Sequence, residues 1–192
     1  MLKRYLVFLV TYTIFLSGCY IKSMDIFANV PIVVFKTPES LFSEYVNVAS
    51  NKQISKKNFT KRYLALWYKE ALLYNYNFGV KYKTEKQAYK TIQHNISMLV
   101  DSVYKSSPAN LKITEISSFK PKPSETFEKF KNSLGKYSSY HFIALENGKA
   151  ITYIHFVQDG YLLPKCIELI YDDDMGYRII DEYVVENYDN GM

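Results

Sequence analysis

Residues 166–183 read CIELIYDDDMGYRIIDEY. Two apolar-rich runs flank the acidic, glycine-closed stretch Asp172-Asp173-Asp174-Met175-Gly176. Such a stretch between two runs of period two marks a turn joining two strands. A closing antiparallel hairpin is therefore expected, with strands around 162–172 and 176–186. Working backwards, Asp159-Gly160 marks a second turn and Asn147-Gly148 a third, and Asn-Gly is a strong two-residue hairpin signal. Strands are expected at 149–158 and 138–146 around them. The stretch NLKITEISSF, residues 110–119, alternates Leu111, Ile113 and Glu115 against Lys112, Thr114 and Ile116, which predicts a further strand. PKPSETFEKFKNSLG, residues 121–135, interrupts the strands with a short helix expected to begin at Ser124 and close at Gly135.

Before residue 107 the period is helical. In KTPESLFSEYVNVAS, residues 36–50, Thr37 is placed to cap, Pro38 suits the first helical position and Glu39 suits the positive end of the helix dipole. Leu41, Tyr45 and Val48 then share one face, and the pattern ends near Ser50 and Asn51. A second helix is expected after Ser55, with Phe59, Tyr63, Leu66, Trp67, Glu70 and Leu73 at helical spacing and the aromatic stripe turned to the core. YNYNFGVKYK, residues 74–83, breaks the period and is expected to be a loop with a short strand. Thr84 and Gln87 form a capping-box pair that opens a third helix, whose apolar stripe is Ala88, Ile92, Ile96, Leu99 and Val103. Ser107-Pro108 ends it.

Helices followed by antiparallel strands define the α+β class, in which the sheet buries one face on the helices. The pattern over residues 37–186, with the closing hairpin as its local feature, resembles the nuclear-transport-factor-2-like, or cystatin-like, cone fold. That resemblance implies N-terminal helices packed on a curved, mainly antiparallel sheet. It also implies the isomerase or dehydratase chemistry that such cones support, with a buried Asp beside a Tyr or a second Asp. Asp181 is among the acids available for it.

The chain begins with Lys3 and Arg4, then an apolar run from Tyr5 to Phe15, then Leu16-Ser17-Gly18-Cys19. The apolar run has the length of an export signal and is too short to span a bilayer stably. Small residues admit a peptidase, and the thiol that follows can carry a lipid. All four positions resemble the lipobox of bacterial lipoproteins. The resemblance implies cleavage between Gly18 and Cys19 and acylation of Cys19, each buried methylene adding about 0.8 kcal/mol of membrane attachment. Tyr20, standing where an Asp favours the inner membrane, points to the outer membrane. The expected organisation is a leader at 1–18, a tether at 19–36, one domain at 37–187 and a tail at 188–192. Within the tether, VPIVVF at 30–35 is expected to add a short strand or to pack on the core. A loose tether of roughly 15 residues averages about 20 Å end to end, which keeps the domain near the membrane surface.

The net charge of +5 falls to about +3 without Lys3 and Arg4, and no basic block of five or six residues occurs, which argues against a nucleic-acid partner. With Cys19 lipidated, Cys166 is left alone, so neither an internal disulfide nor a thiolate metal site is expected, and Cys166 reads as a small buried hydrophobe. Nineteen tyrosines and twelve phenylalanines supply groups that fill a core and also make a hydrogen-bonding surface.

Of the three histidines, His94 is expected to be solvated on the third helix. A two-residue Asn147-Gly148 turn sets His141 opposite Ile154, whereas a three-residue loop sets it against His155. Only the second register brings two histidines together, and histidines at the core are expected rather than a metal site. The acidic turn at 172–174 lacks the alternating oxygen ligands of a calcium loop. No nucleophile elbow, phosphate loop or dinucleotide fingerprint occurs. The expectation is a non-enzymatic, lipid-anchored envelope protein facing the periplasm, with no cofactor and no metal. It binds a protein or ligand there, and one version is an immunity protein that neutralises a delivered toxin. The alternative is a small-molecule enzyme in a cone-fold pocket. Tyr140, His141, Tyr153, His155 and Tyr177 are the candidate interface or pocket residues. The expected partners are the membrane, through the lipid on Cys19, and an envelope protein; no feature specifies an oligomeric state.

Overall fold

A computed structural model describes residues 27, 29–51, 53–75, 85–106, 110–119, 144, 147–160 and 163–185. The leader, Cys19, the residues around Ser124–Gly135, Tyr140 and His141 lie outside them. The described residues form the expected α+β arrangement. Four helices run in the order α1 Pro38–Ser50, α2 Lys56–Ala65, α3 Lys69–Asn75 and α4 Glu85–Ser106. Four strands follow: β1 Leu111–Phe119, β2 Ile151–Gln158, β3 Lys165–Asp172 and β4 Gly176–Val184. They form one antiparallel sheet in the order β1-β2-β3-β4.

The caps expected for the first two helices hold, while Thr84 and Ser107-Pro108 lie outside the described residues. Thr37 caps α1 by accepting from the Ser40 backbone N–H at 3.1 Å, and the Ser40 hydroxyl oxygen accepts the Thr37 N–H in return, closing a capping box. Ser55 caps α2, accepting from the Asn58 N–H. In the turn between β3 and β4, one Asp172 carboxylate oxygen accepts the N–H groups of Asp174 and Met175, each at 3.0 Å. The carboxylate thus serves as the scaffold of the turn.

Two expectations change. The second helix is not continuous through Leu73. It ends at Ala65, and the chain runs beside β4 before α3 begins. The Ile179 N–H donates to Leu66 O at 2.9 Å, and the Tyr68 N–H donates to Ile179 O at 2.8 Å. The unsatisfied edge of β4 captures this backbone, which outweighs continued helix although the apolar spacing runs through the break.

The strand that follows the Asn147-Gly148 turn has no free edge for a hairpin partner. The turn is there, with Gly148 at a φ of +70°. However, β2 already pairs β1 on one side and β3 on the other. A strand has two edges, so β2 has none free; the strand expected at 138–146 lies outside the described residues apart from Ala144. His155 stands instead between Glu115 and Cys166, and the two-histidine pairing is excluded.

The main core lies between α1, α2, α4 and one sheet face. Leu41, Tyr45, Tyr63, Ile96, Phe156 and Ile167 are among its buried side chains. The aromatic stripe of α2 is core, as expected: Phe59 stacks on Tyr63 at 5.6 Å, and Tyr63 meets Trp67 at 6.1 Å. A smaller cluster on the other face joins Ile151, Ile170 and Ile180 to Ala71 of α3 and to Ala144. Helix α3 sits at the β4 edge, giving Leu72 to the first cluster and Ala71 to the second.

The segment 33–35, expected within the tether to add a short strand or pack on the core, is fastened to the sheet. Phe35 is buried and pairs with Gly176: the Tyr177 N–H donates to Phe35 O at 2.8 Å. Arg178, only 2% exposed, donates to Tyr177 O at 2.7 Å and to Val33 O, and its guanidinium stacks over the Phe35 ring at 5.2 Å. Burial pulls its pKa below the ordinary 12.5, with the Asp172 charge acting the other way. The bonds to carbonyls satisfy a buried cation that no ion pair among the described residues compensates.

Candidate functional site

The chemistry-bearing side chains fall into two groups, one on each sheet face. On the helix face, Glu182 of β4 projects between two buried tyrosines. The Tyr45 hydroxyl from α1 donates to Glu182 Oε1 at 2.8 Å, and the Tyr63 hydroxyl from α2 donates to Glu182 Oε2 at 3.3 Å. Tyr45 and Tyr63 are among the largest fully buried side chains. Burial raises the Glu182 pKa, while the Tyr45 hydroxyl, the Lys165 charge and the Tyr63 hydroxyl act against that rise. Burial and then the neighbouring Glu182 charge hold the Tyr45 hydroxyl well above its ordinary 10.0, so it remains a donor.

On the other face, strand register aligns polar side chains in two cross-strand rows. Glu115, His155, Cys166 and Tyr183 form one row, and Ser117, Tyr153, Glu168 and Asp181 form the next. Cys166 and Glu168 are fully buried, and the Tyr183 hydroxyl donates to Glu168 Oε1 at 3.2 Å. Cysteine, histidine and glutamate within two rows have the composition of a thiol-nucleophile site. The thiol argues against it. Burial pushes the Cys166 pKa up to about 12, so it is almost wholly the unreactive protonated form. Burial, with Glu168 next, also raises Tyr183 above its ordinary 10.0.

The candidate residues read from sequence do not gather. Tyr153 and His155 are neighbours on the second face, whereas Tyr177 packs with the main core and meets Tyr171 edge-on at 5.1 Å. Tyr140 and His141 lie outside the described residues. Asp181, available in sequence as a cone-fold acid, accepts the Glu182 N–H with its Oδ1, and Glu182 holds the two tyrosines. Sequence separations of 137 and 119 residues hide that cluster. The available signal is an acid at an inward position of the last strand, which demands buried donors that tyrosines supply. His94 is exposed on α4, as expected.

Two surface depressions stand out among the described residues. Lys90, Gln93, His94 and Ser97 line one of about 430 Å³. Asn29, Pro31, Ile54, Asn58, Lys61 and Arg62 line the other, of about 380 Å³. Neither is lined by Glu182, its tyrosines or Cys166. No group of three or more His, Cys, Asp or Glu among the described residues is arranged to hold a metal ion, and no described helix is long and apolar enough to cross a membrane.

Fold and site together define an α+β domain in which Glu168, Cys166, Arg178 and the tyrosine-bound Glu182 are tied into the interior. Comparison with protein-family models, with curated proteins and with solved structures finds no match.

Proposed function

We propose that the chain is a lipid-anchored, non-catalytic protein of the bacterial envelope whose domain binds a protein partner on the periplasmic side. The lipobox at Leu16-Ser17-Gly18-Cys19 supplies the address. The observation that carries binding over catalysis is the closure of the Tyr45–Glu182–Tyr63 cluster, where the carboxyl group and both hydroxyls satisfy one another. A general acid or base needs hydrogen-bond reach to a substrate, and these oxygens spend theirs on the core. An isomerase-like reading draws on the same acid and tyrosines, and it requires that cluster to open. A toxin delivered into the periplasm is one partner class that suits a small anchored domain.

The surface offers aromatic anchors for a partner. Tyr171 is 48% exposed and backed by Tyr177, an arrangement that presents a large amphipathic ring at low entropic cost. A photo-reactive side chain placed at Tyr171, or at Tyr153 on the other face, is expected to form one discrete adduct with an envelope or delivered protein in intact cells. No adduct at either position, together with turnover of a small carbonyl substrate that Glu182→Gln abolishes, would favour the enzyme.

A further inference from the structure

The depression lined by Asn29, Pro31, Ile54, Asn58, Lys61 and Arg62 lies where the N-terminal segment meets α2. Its charges are not equivalent. The Arg62 guanidinium is taken by Glu44 at 2.7 Å, and Lys56, between the lining residues Ile54 and Asn58 in sequence, is taken by Asp101 at 2.8 Å. Lys57 and Lys61 have no ion pair among the described residues, and neither has Lys36, which follows the N-terminal segment. Lys57 and Lys61 are four apart on α2 and so share a face. Beside these cations stand apolar side chains the fold leaves in water. Ile32 is 82% exposed and Val34 is 54% exposed, and Ile32 is bonded directly to the lining residue Pro31.

Solvated cations beside a protruding apolar ridge suit a surface with anionic groups outside and hydrocarbon beneath. Chain length brings such a surface within range. Ten residues separate Cys19 from Asn29, so Asn29 is held within about 35 Å of the anchor. We propose that this face docks the domain onto an anionic phospholipid surface. Lys57, Lys61 and Lys36 meet headgroup phosphates, and Ile32 and Val34 enter the interfacial layer. The proposal rests on the lipid-anchor reading only for bringing the membrane near; the contacts themselves do not require acylation. Docking would fix the orientation of the domain on the membrane and leave the opposite side of the molecule to a partner.

The test uses the full protein as isolated from membranes, with Ile32→Trp as a reporter, in vesicles carrying brominated acyl chains. Trp67 lies in the core, and its signal is subtracted using the parent protein. Strong quenching is expected in phosphatidylglycerol vesicles and little in phosphatidylcholine vesicles, with loss at high salt. At about fivefold per lysine, Lys57→Gln with Lys61→Gln should lower the docked-to-free ratio about 25-fold. Equal quenching in both vesicles, or none in either, would overturn the proposal. So would displacement by millimolar inorganic phosphate with no dependence on vesicle charge, which would assign the depression to a free anion. Fatty acid on Cys19 is assayed on the same sample. Fatty acid without charge-dependent quenching removes the docking alone, and quenching without fatty acid removes the anchor alone.

Discussion

Replacing Gly176 with alanine is expected to destabilise the protein by about 3–5 kcal/mol and to lower its melting temperature by roughly 10 °C. Two costs combine. Gly176 has a φ of +73°, where an L side chain costs about 1–2 kcal/mol. A Cβ there would also run into the Phe35 backbone, lying 2.8 Å from its carbonyl carbon and closer still to its oxygen. Backbone cannot swing aside as a flexible side chain does. The segment at 33–35 must leave β4, losing the Tyr177 N–H bond to Phe35 O and exposing part of the Phe35 ring. Each hydrogen bond is worth about 1 kcal/mol, and the ring adds about 2 kcal/mol when fully uncovered. Gly148→Ala is the matched control. Its φ of +70° carries the same dihedral cost, but its Cβ meets nothing within 4 Å. Urea unfolding should therefore separate the two variants by about 2–3 kcal/mol. Equal losses would mean that residues 33–35 do not lie against β4.

Glu182→Ala is expected to cost about 3–4 kcal/mol, because it strands two buried tyrosine hydroxyls, each at about 1–3 kcal/mol when unsatisfied, and opens a void. Glu182→Gln keeps one oxygen acceptor and an amide, and should cost about 1 kcal/mol. The two variants differ further in their pH behaviour. The folded-state pKa of Glu182 lies above the ordinary 4.5, so the folded protein holds this proton more tightly than the unfolded chain. The linkage slope is then negative: stability from this group is greatest below about 4.5 and declines as pH rises towards the raised value. Subtracting the Glu182→Gln stability curve from the parent curve should isolate that decline. A difference that grows with pH instead would mean a depressed pKa, with the tyrosine hydroxyls and the Lys165 charge outweighing burial.

The sequence reveals those features whose causes are local. Thr37, Pro38 and Glu39 begin α1 from within one turn, and Asp172 organises a five-residue turn by reaching its own neighbours. The period-two stretches at 110–119, 149–158, 162–172 and 176–186 became strands because alternation reports directly on a sheet with packed faces. What escapes is set by partners far along the chain. The helical spacing from Phe59 to Leu73 continues through the break at Leu66, since Leu66 and Trp67 remain buried after the backbone turns to follow β4. Asn147-Gly148 has the chemistry of a hairpin turn, yet its strand β2 was already enclosed by β1 and β3, a fact of topology that no dipeptide carries. The tyrosine pair on Glu182 is a third case. Acid and donors are visible separately, while their meeting depends on α1 and α2 both crossing the end of β4.

The interior of this domain explains why a binding role is proposed for it. Its acids, tyrosines and thiol are used to satisfy one another across layers. Among its exposed groups, Lys57 and Lys61 without ion pairs among the described residues and the apolar Ile32 and Val34 stand by the segment that follows Asn29.

The mass of the mature N-terminal peptide, taken from protein purified out of cell membranes, tests the proposed lipid anchor at Cys19 most directly. The expected result is a chain beginning at Cys19 with a diacylglyceryl group on its sulfur, and labelled palmitate incorporated into the parent but absent from Cys19→Ser. A chain that retains residues 1–18, or begins at an unmodified Cys19, would contradict it, as would a Cys19→Ser protein that still takes up palmitate and remains with the membranes.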